Sequence, residues 1–171
     1  MTLTRLQSGV GVLQIEAACS PAVGDLRLGA AYQLRTGVSS VVQHASGVRT
    51  APPASSRPVI IGARGQYEQL TIDLVQVRDL DRLVIYAFSE SGATLNWGGT
   101  LVLSTVGQAR VDLPLDRPAS AQVSVLMSLY NVAGELVIRA EMEELAGSVR
   151  DAVSAYGFDR ITWLDPRTPL T

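Results

Sequence analysis

The chain contains no lysine, and all 14 of its basic residues are arginine. That absence removes a P-loop lysine, a Schiff-base lysine and a lysine general base together. Cysteine and histidine occur once each, as Cys19 and His44. A single thiol closes no internal disulfide, so a reducing compartment suits the chain and a cytoplasmic location is expected. The same two residues cannot make a four-ligand structural zinc site without help from carboxylates. A Cys19–His44 nucleophilic pair would need the two brought together and the thiol activated, whereas a lone cysteine after an apolar strand usually serves as a packing residue. No G-x-S-x-G elbow, H-E-x-x-H helix or nucleotide-binding glycine loop is present. No apolar run approaches the roughly 20 residues that cross a bilayer. Residues 1–20 alternate and place Glu16 where a signal peptide needs an unbroken apolar stretch, and its position three residues before Cys19 argues against a lipoprotein cleavage site.

Acid is missing from one long stretch. Between Leu26 and Tyr67 there is no Asp or Glu, while Arg27, Arg35, Arg49, Arg57 and Arg64 all fall there. The remainder is acidic, and the whole carries a formal charge of −2. An asymmetry of this kind marks the five arginines as candidates for meeting an acidic protein partner or an anionic ligand. Scarce aromatics and the negative total give no support to nucleic-acid binding.

What is plentiful is aliphatic. Hydrophobic residues make up 47% of the 171, aromatics only 5%, so Val, Leu, Ile and Ala must fill the core of what reads as one domain. Alternation or β-branched content predicts strands over 9–17, 26–34, 38–43, 58–62, 68–74, 82–89, 99–105, 109–115, 121–130 and 134–142. In 26–34, Leu26, Leu28, Ala30, Tyr32 and Leu34 share one face, leaving Arg27, Gly29, Ala31 and Gln33, with the preceding Asp25, on the other. Asn131–Gly134 marks a hairpin bend. Helical spacing takes over at 143–157, where Leu145, Val149, Ala152, Val153 and Tyr156 recur on one side. About ten strands and one late helix predict a mainly β protein, an antiparallel β-sandwich with one C-terminal α-helix. Residues 43–57, rich in Gly, Pro, Ser and Ala, read as a flexible loop, and 165–171 as a frayed tail. The acids at Asp79, Asp81, Glu141, Glu143 and Glu144 read as solvated residues of a turn and a helix start. The glycines of "NWGGT" (96–100) suggest close backbone packing.

Four segments resemble the TerD-like family, the tellurium-resistance and bacterial stress-protein domain. They are "GDLRLGAAYQL", "VQVRDLDRLVIYAFSE", "NWGGTLVLST" and "NVAGELVIRAEMEELAGSVRDAVSAYGF". The resemblance implies a cytoplasmic, non-enzymatic β-sandwich that in many members binds calcium through an acid pair on the early strand and an acidic loop. Asp25 matches the first of those acids, but Arg27 stands where the second belongs, and 43–67 holds no acid before Glu68. A guanidinium about 5 Å from Ca²⁺ is repelled by roughly 6–7 kcal/mol at an effective dielectric near 20. The family's calcium site is therefore expected to be lost and no cofactor is expected. The function implied is a non-catalytic binding or scaffold domain, its partner an acidic protein, a calcium-binding paralogue or a further copy. Two alternatives stay open: weak calcium binding through Asp25, Glu68 and Asp73, and a carboxylate-based hydrolase using the same acids.

Overall fold

The computed structural model describes residues 2–3, 10–19, 26–92, 98–106, 109–115 and 121–170. Its strands are β1 (Thr2–Leu3), β2 (Val12–Cys19), β3 (Leu26–Leu34), β4 (Ser39–Gln43), β5 (Thr50–Ala51), β6 (Ile60–Arg64), β7 (Glu68–Asp73), β8 (Leu80–Ser89), β9 (Gly99–Thr105), β10 (Arg110–Pro114), β11 (Val123–Val132) and β12 (Glu135–Leu145), followed by helix α1 (Val149–Ala155). They form two six-stranded sheets, ordered β1-β12-β11-β8-β3-β4 (sheet I) and β10-β9-β2-β7-β6-β5 (sheet II), with every pairing antiparallel. The sandwich with its single late helix is the fold class that the sequence predicts.

The main core lies between the sheets. Leu28, Ala30 and Tyr32 of β3, and Leu83, Ile85 and Ala87 of β8, meet Leu13 and Ile15 of β2, Leu70 and Ile72 of β7, and Leu101 and Leu103 of β9. The second face of β3 is not the polar face that its alternation suggests. Ala31 joins Val41, Val84, Tyr86, Phe88, Val123 and Val125 in a second apolar layer beneath α1. Gly29 makes that layer possible. It pairs with Tyr86, and a Cβ at residue 29 would lie 2.3 Å from the Tyr86 ring. The slot lets the ring lie flat across the neighbouring strand, with its hydroxyl donating to Gln43 Oε1 at 2.8 Å.

The helix starts later than its periodicity predicts. Residues 143–145 continue β12, pairing with Val125, Ser124 and Val123. Gly147 then takes a φ of +111°, and Ser148 opens α1 with a capping box against Asp151. At its other end Arg82 holds it: the guanidinium donates to the carbonyls of Tyr156 (3.1 Å) and Gly157 (2.6 Å) and to Gln33 Oε1 (2.9 Å), and lies 4.3 Å over the Phe158 ring. Cations at a helix C-terminus are favoured by its dipole.

Two connections carry more order than their composition suggests. Within 43–57 the chain makes a 3₁₀ turn at His44–Ser46, a bridge between Gln43 and Val48, and β5. In the tail, Trp163 bridges to Pro169, and Asp165 Oδ1 accepts from the amides of Arg167 and Thr168. Gly99 bears out close backbone packing, since a Cβ there would lie 2.7 Å from the Ala18 carbonyl oxygen and 2.9 Å from Cys19 Sγ. Trp97 lies outside the described residues.

Candidate functional site

β4 ends at Gln43, which pairs with Gly29, so the residue that would pair with Leu28 is His44, already turned into the 3₁₀ segment. The Leu28 amide is thereby left facing an open corner between the sheets. Glu68, the first residue of β7 in sheet II, fills it: its Oε2 lies 3.5 Å from the Leu28 nitrogen. Only 5% of the Glu68 side chain is exposed. Its other oxygen, Oε1, is buried without a hydrogen-bond donor, with Arg27 Nε at 3.9 Å and Arg64 Nε at 3.6 Å.

Arg27 is the hub of this corner. Its guanidinium pairs with Glu90, just beyond β8, and donates to the Leu26 carbonyl at 3.0 Å. Glu90, Arg27, Glu68 and Arg64 thus form an alternating chain of charges that crosses from one sheet to the other. Burial pushes the Glu68 carboxyl above its ordinary value and Glu90 adds to the rise, while the Leu28 amide, Arg27 and Arg64 oppose it. His44 is held below its ordinary value, first by burial and then by Arg49, Arg64 and Arg27.

The C-terminal segment closes over the same end of the sandwich. Arg167 donates to the Glu90 carbonyl at 2.5 Å, and its own carbonyl accepts from Gln43 at 3.3 Å. Phe88, Pro166 and Arg167 line two neighbouring cavities of about 520 Å³ and 380 Å³.

The remaining candidates disperse. Asp73 ends β7, five residues from Glu68, which at about 3.4 Å per residue puts the two about 17 Å apart. Its Oδ1 accepts from the Val75 amide at 2.8 Å. The structure does not bring Glu68 and Asp73 together, either as calcium ligands or as a hydrolytic pair, and Asp25 lies outside the described residues. The five arginines divide in the same way. Arg27, Arg49 and Arg64 are near His44, whereas Arg35 follows β3 and Arg57 precedes β6, both at the opposite end. Arg27 itself is buried and paired, so it offers no surface to a partner. The Cys19 thiol is pushed up by burial, opposite to the activation that a nucleophile needs.

The glutamates of the late segment are strand residues, not helix-start acids. Glu141 Oε1 accepts from the Ser128 hydroxyl at 2.5 Å, and Glu143 Oε2 from the Tyr156 hydroxyl at 2.6 Å. Glu90 was missed by sequence reasoning. The signal was the i, i+2 alternation of β8, which runs past Phe88 and sets Glu90 beside Arg27.

Calcium takes six to eight oxygens, several from carboxylates. The described residues hold no group of three His, Cys, Asp or Glu suited to a metal. At the corner itself two carboxylates face a guanidinium that stands between them. These residues do not fit the ion.

No family model matches the chain, and no curated protein matches it. Solved structures do. A protein of unknown function, SAV2460, superposes with a TM-score of 0.57 at 16% identity, covering 80% of this chain and 91% of the other. SCO6318 of Streptomyces coelicolor A3(2), a homologue of the telluride resistance protein TerD, gives 0.59 at 14% identity, covering 81% and 92%. At such identity the likeness speaks for architecture, and that architecture is the one implied by the four motif segments. The chain carries a divergent TerD-like fold.

Proposed function

We infer that this chain is a non-catalytic binding or scaffold domain of the TerD-like group, acting in a bacterial stress or tellurite-resistance-associated assembly without calcium. One observation carries the reading: the Arg27 guanidinium lies between Glu90 and Glu68, so a cation attached to the chain does at this corner what a bound metal would otherwise do. A cytoplasmic setting is consistent with the single thiol, and no helix among the described residues is long and apolar enough to cross a membrane.

Calorimetry with calcium tests it. The expected result is no binding heat at micromolar ion, and the same melting temperature in EDTA as in excess Ca²⁺. A ligand that binds only the folded state must raise that temperature. Micromolar binding, or a melt that rises with calcium, overturns the reading.

A further inference from the structure

β10 (Arg110–Pro114) is the outermost strand of sheet II, and no described strand pairs with its outer side. Its hydrogen bonds to β9 fix which backbone groups are left over. The Thr105 amide donates to the Ala109 carbonyl at 2.9 Å, and the Leu115 amide to the Gly99 carbonyl at 2.8 Å. The odd-numbered residues from 109 to 115 therefore turn their backbone groups toward β9. By the alternation of an antiparallel ladder, Arg110, Asp112 and Pro114 turn theirs outward. The side chains divide as well. Val111 and Leu113 are half-buried against the main core, whereas the Arg110 and Asp112 side chains are 64% and 47% exposed on the solvent face.

An edge with unpaired N–H and C=O groups is a template for another strand, and this one is complementary to itself. A two-fold axis through Val111 sets Arg110 opposite Asp112 of the partner subunit, and Asp112 opposite Arg110 of the partner subunit. Both residues turn their backbone groups toward that axis, so each couple exchanges the two N–H···O bonds of a hydrogen-bonded pair. Val111 meets its own copy on the inner face, at the margin of the core. Neighbouring registers do worse. Centred on Arg110 or on Asp112, the pairing sets guanidinium against guanidinium or carboxylate against carboxylate. Centred on Leu113, it brings Pro114 opposite Asp112, and proline has no N–H to donate.

The argument from charge does not need unpaired groups. Within one chain Arg110 donates from Nε and Nη2 to the two oxygens of Asp112, at 2.8 Å and 3.1 Å. The Nη1 donors and further carboxylate lone pairs remain, so each side chain takes a second partner without giving up the first. β9 carries no charged residue, and the next one across the sheet is Glu16 of β2, which accepts from Gln69. β10 is thus neutral as a whole, and no net repulsion opposes two such strands.

We propose that the chain forms a two-fold dimer in which β10 pairs with β10 of a second copy in the Val111-centred register, joining two six-stranded sheets into one. The contact is isologous and closes on itself. The dimer goes beyond the scaffold reading and is independent of whether calcium binds. Few residues on each side make a small interface, so the dimer is weak and its population rises with concentration.

Sedimentation equilibrium on the full chain tests the proposal with Arg110→Asp, Asp112→Arg and the double exchange, all at exposed positions, with circular dichroism melts to verify folding. Wild type dimerises with a dissociation constant below about 1 mM. Each single exchange sets like charges opposite each other on both sides of the axis and weakens the dimer by about tenfold or more. An equimolar mixture of the two single variants regains association, and so does the double exchange alone, because both restore opposite charges across the axis. Amide hydrogen exchange reads the same contact directly: the Arg110 and Asp112 amides slow as the dimer fills. A wild type still monomeric at about 1 mM overturns the inference. So does a single exchange that associates as wild type does, a folded double exchange that fails to associate, or a dimer whose Asp112 amide keeps its monomer exchange rate. None of these outcomes bears on the calcium-independent reading, which calorimetry decides by itself.

Discussion

The two sheets share one core but differ in what covers their backs. Sheet II presents Gln14, Glu16, Gln69 and Thr71 to water, with Gln69 donating to Glu16 at 3.0 Å, and its strands alternate buried with half-buried residues. Sheet I has α1 and the tail on its outer side, and β8 is buried from Leu83 to Ser89 without interruption. Substitutions on the outer side of sheet I therefore act on a packed interior, and those on the outer side of sheet II act on a surface.

Tyr86→Ala separates the sheets most. It empties the slot over Gly29 and strands Gln43 Oε1, and it is expected to cost about 4 kcal/mol in denaturant melts. Arg27→Ala comes next, at about 3 kcal/mol near neutral pH, because a buried carboxylate loses its counter-charge. The cost shrinks under acid, where Glu68 carries a proton. Ser148→Ala removes the capping box that starts the cover of sheet I, an expected loss of about 1 kcal/mol in the same melts. Gln69→Ala, on the wet face of sheet II, is expected to stay within about 0.5 kcal/mol. Equal losses for Gln69→Ala and Tyr86→Ala would erase the distinction.

The corner adds a pH signature. Burial holds the Glu68 carboxyl above its ordinary value of 4.5, so the folded state takes up this proton more readily than the unfolded state. Its contribution to stability is complete below that ordinary value and is lost as pH rises through the folded one. Glu68→Gln is expected to flatten this part of a stability profile measured from about pH 4 to about pH 7. An unchanged slope would remove Glu68 as its source.

The same contrast explains what the sequence made legible. β3 and β9 match their predicted bounds because alternation or a β-branched run ends at clear turn residues. β1 and β5 have two residues each, too short for any period to register; β1 is ordered by β12 near the other end of the chain and β5 by the neighbouring β6. Glu143–Leu145 satisfies a helical period, yet pairing with β11 prevails until Gly147 turns the chain. At the candidate site, Arg27 in the place of an acid was legible only through the resemblance of its strand to the family's motif. Its partners were not legible: Glu68 approaches from the opposite sheet, and Glu90 lies 63 residues away. The separation of Asp73 from Glu68, by contrast, was already implied by the strand predicted over 68–74, which carries both along one extended segment.

A positive charge borne on a side chain cannot be chelated, diluted or competed away. The junction that Arg27 makes between the two sheets is accordingly settled when the protein is synthesised, its cation being part of the chain itself.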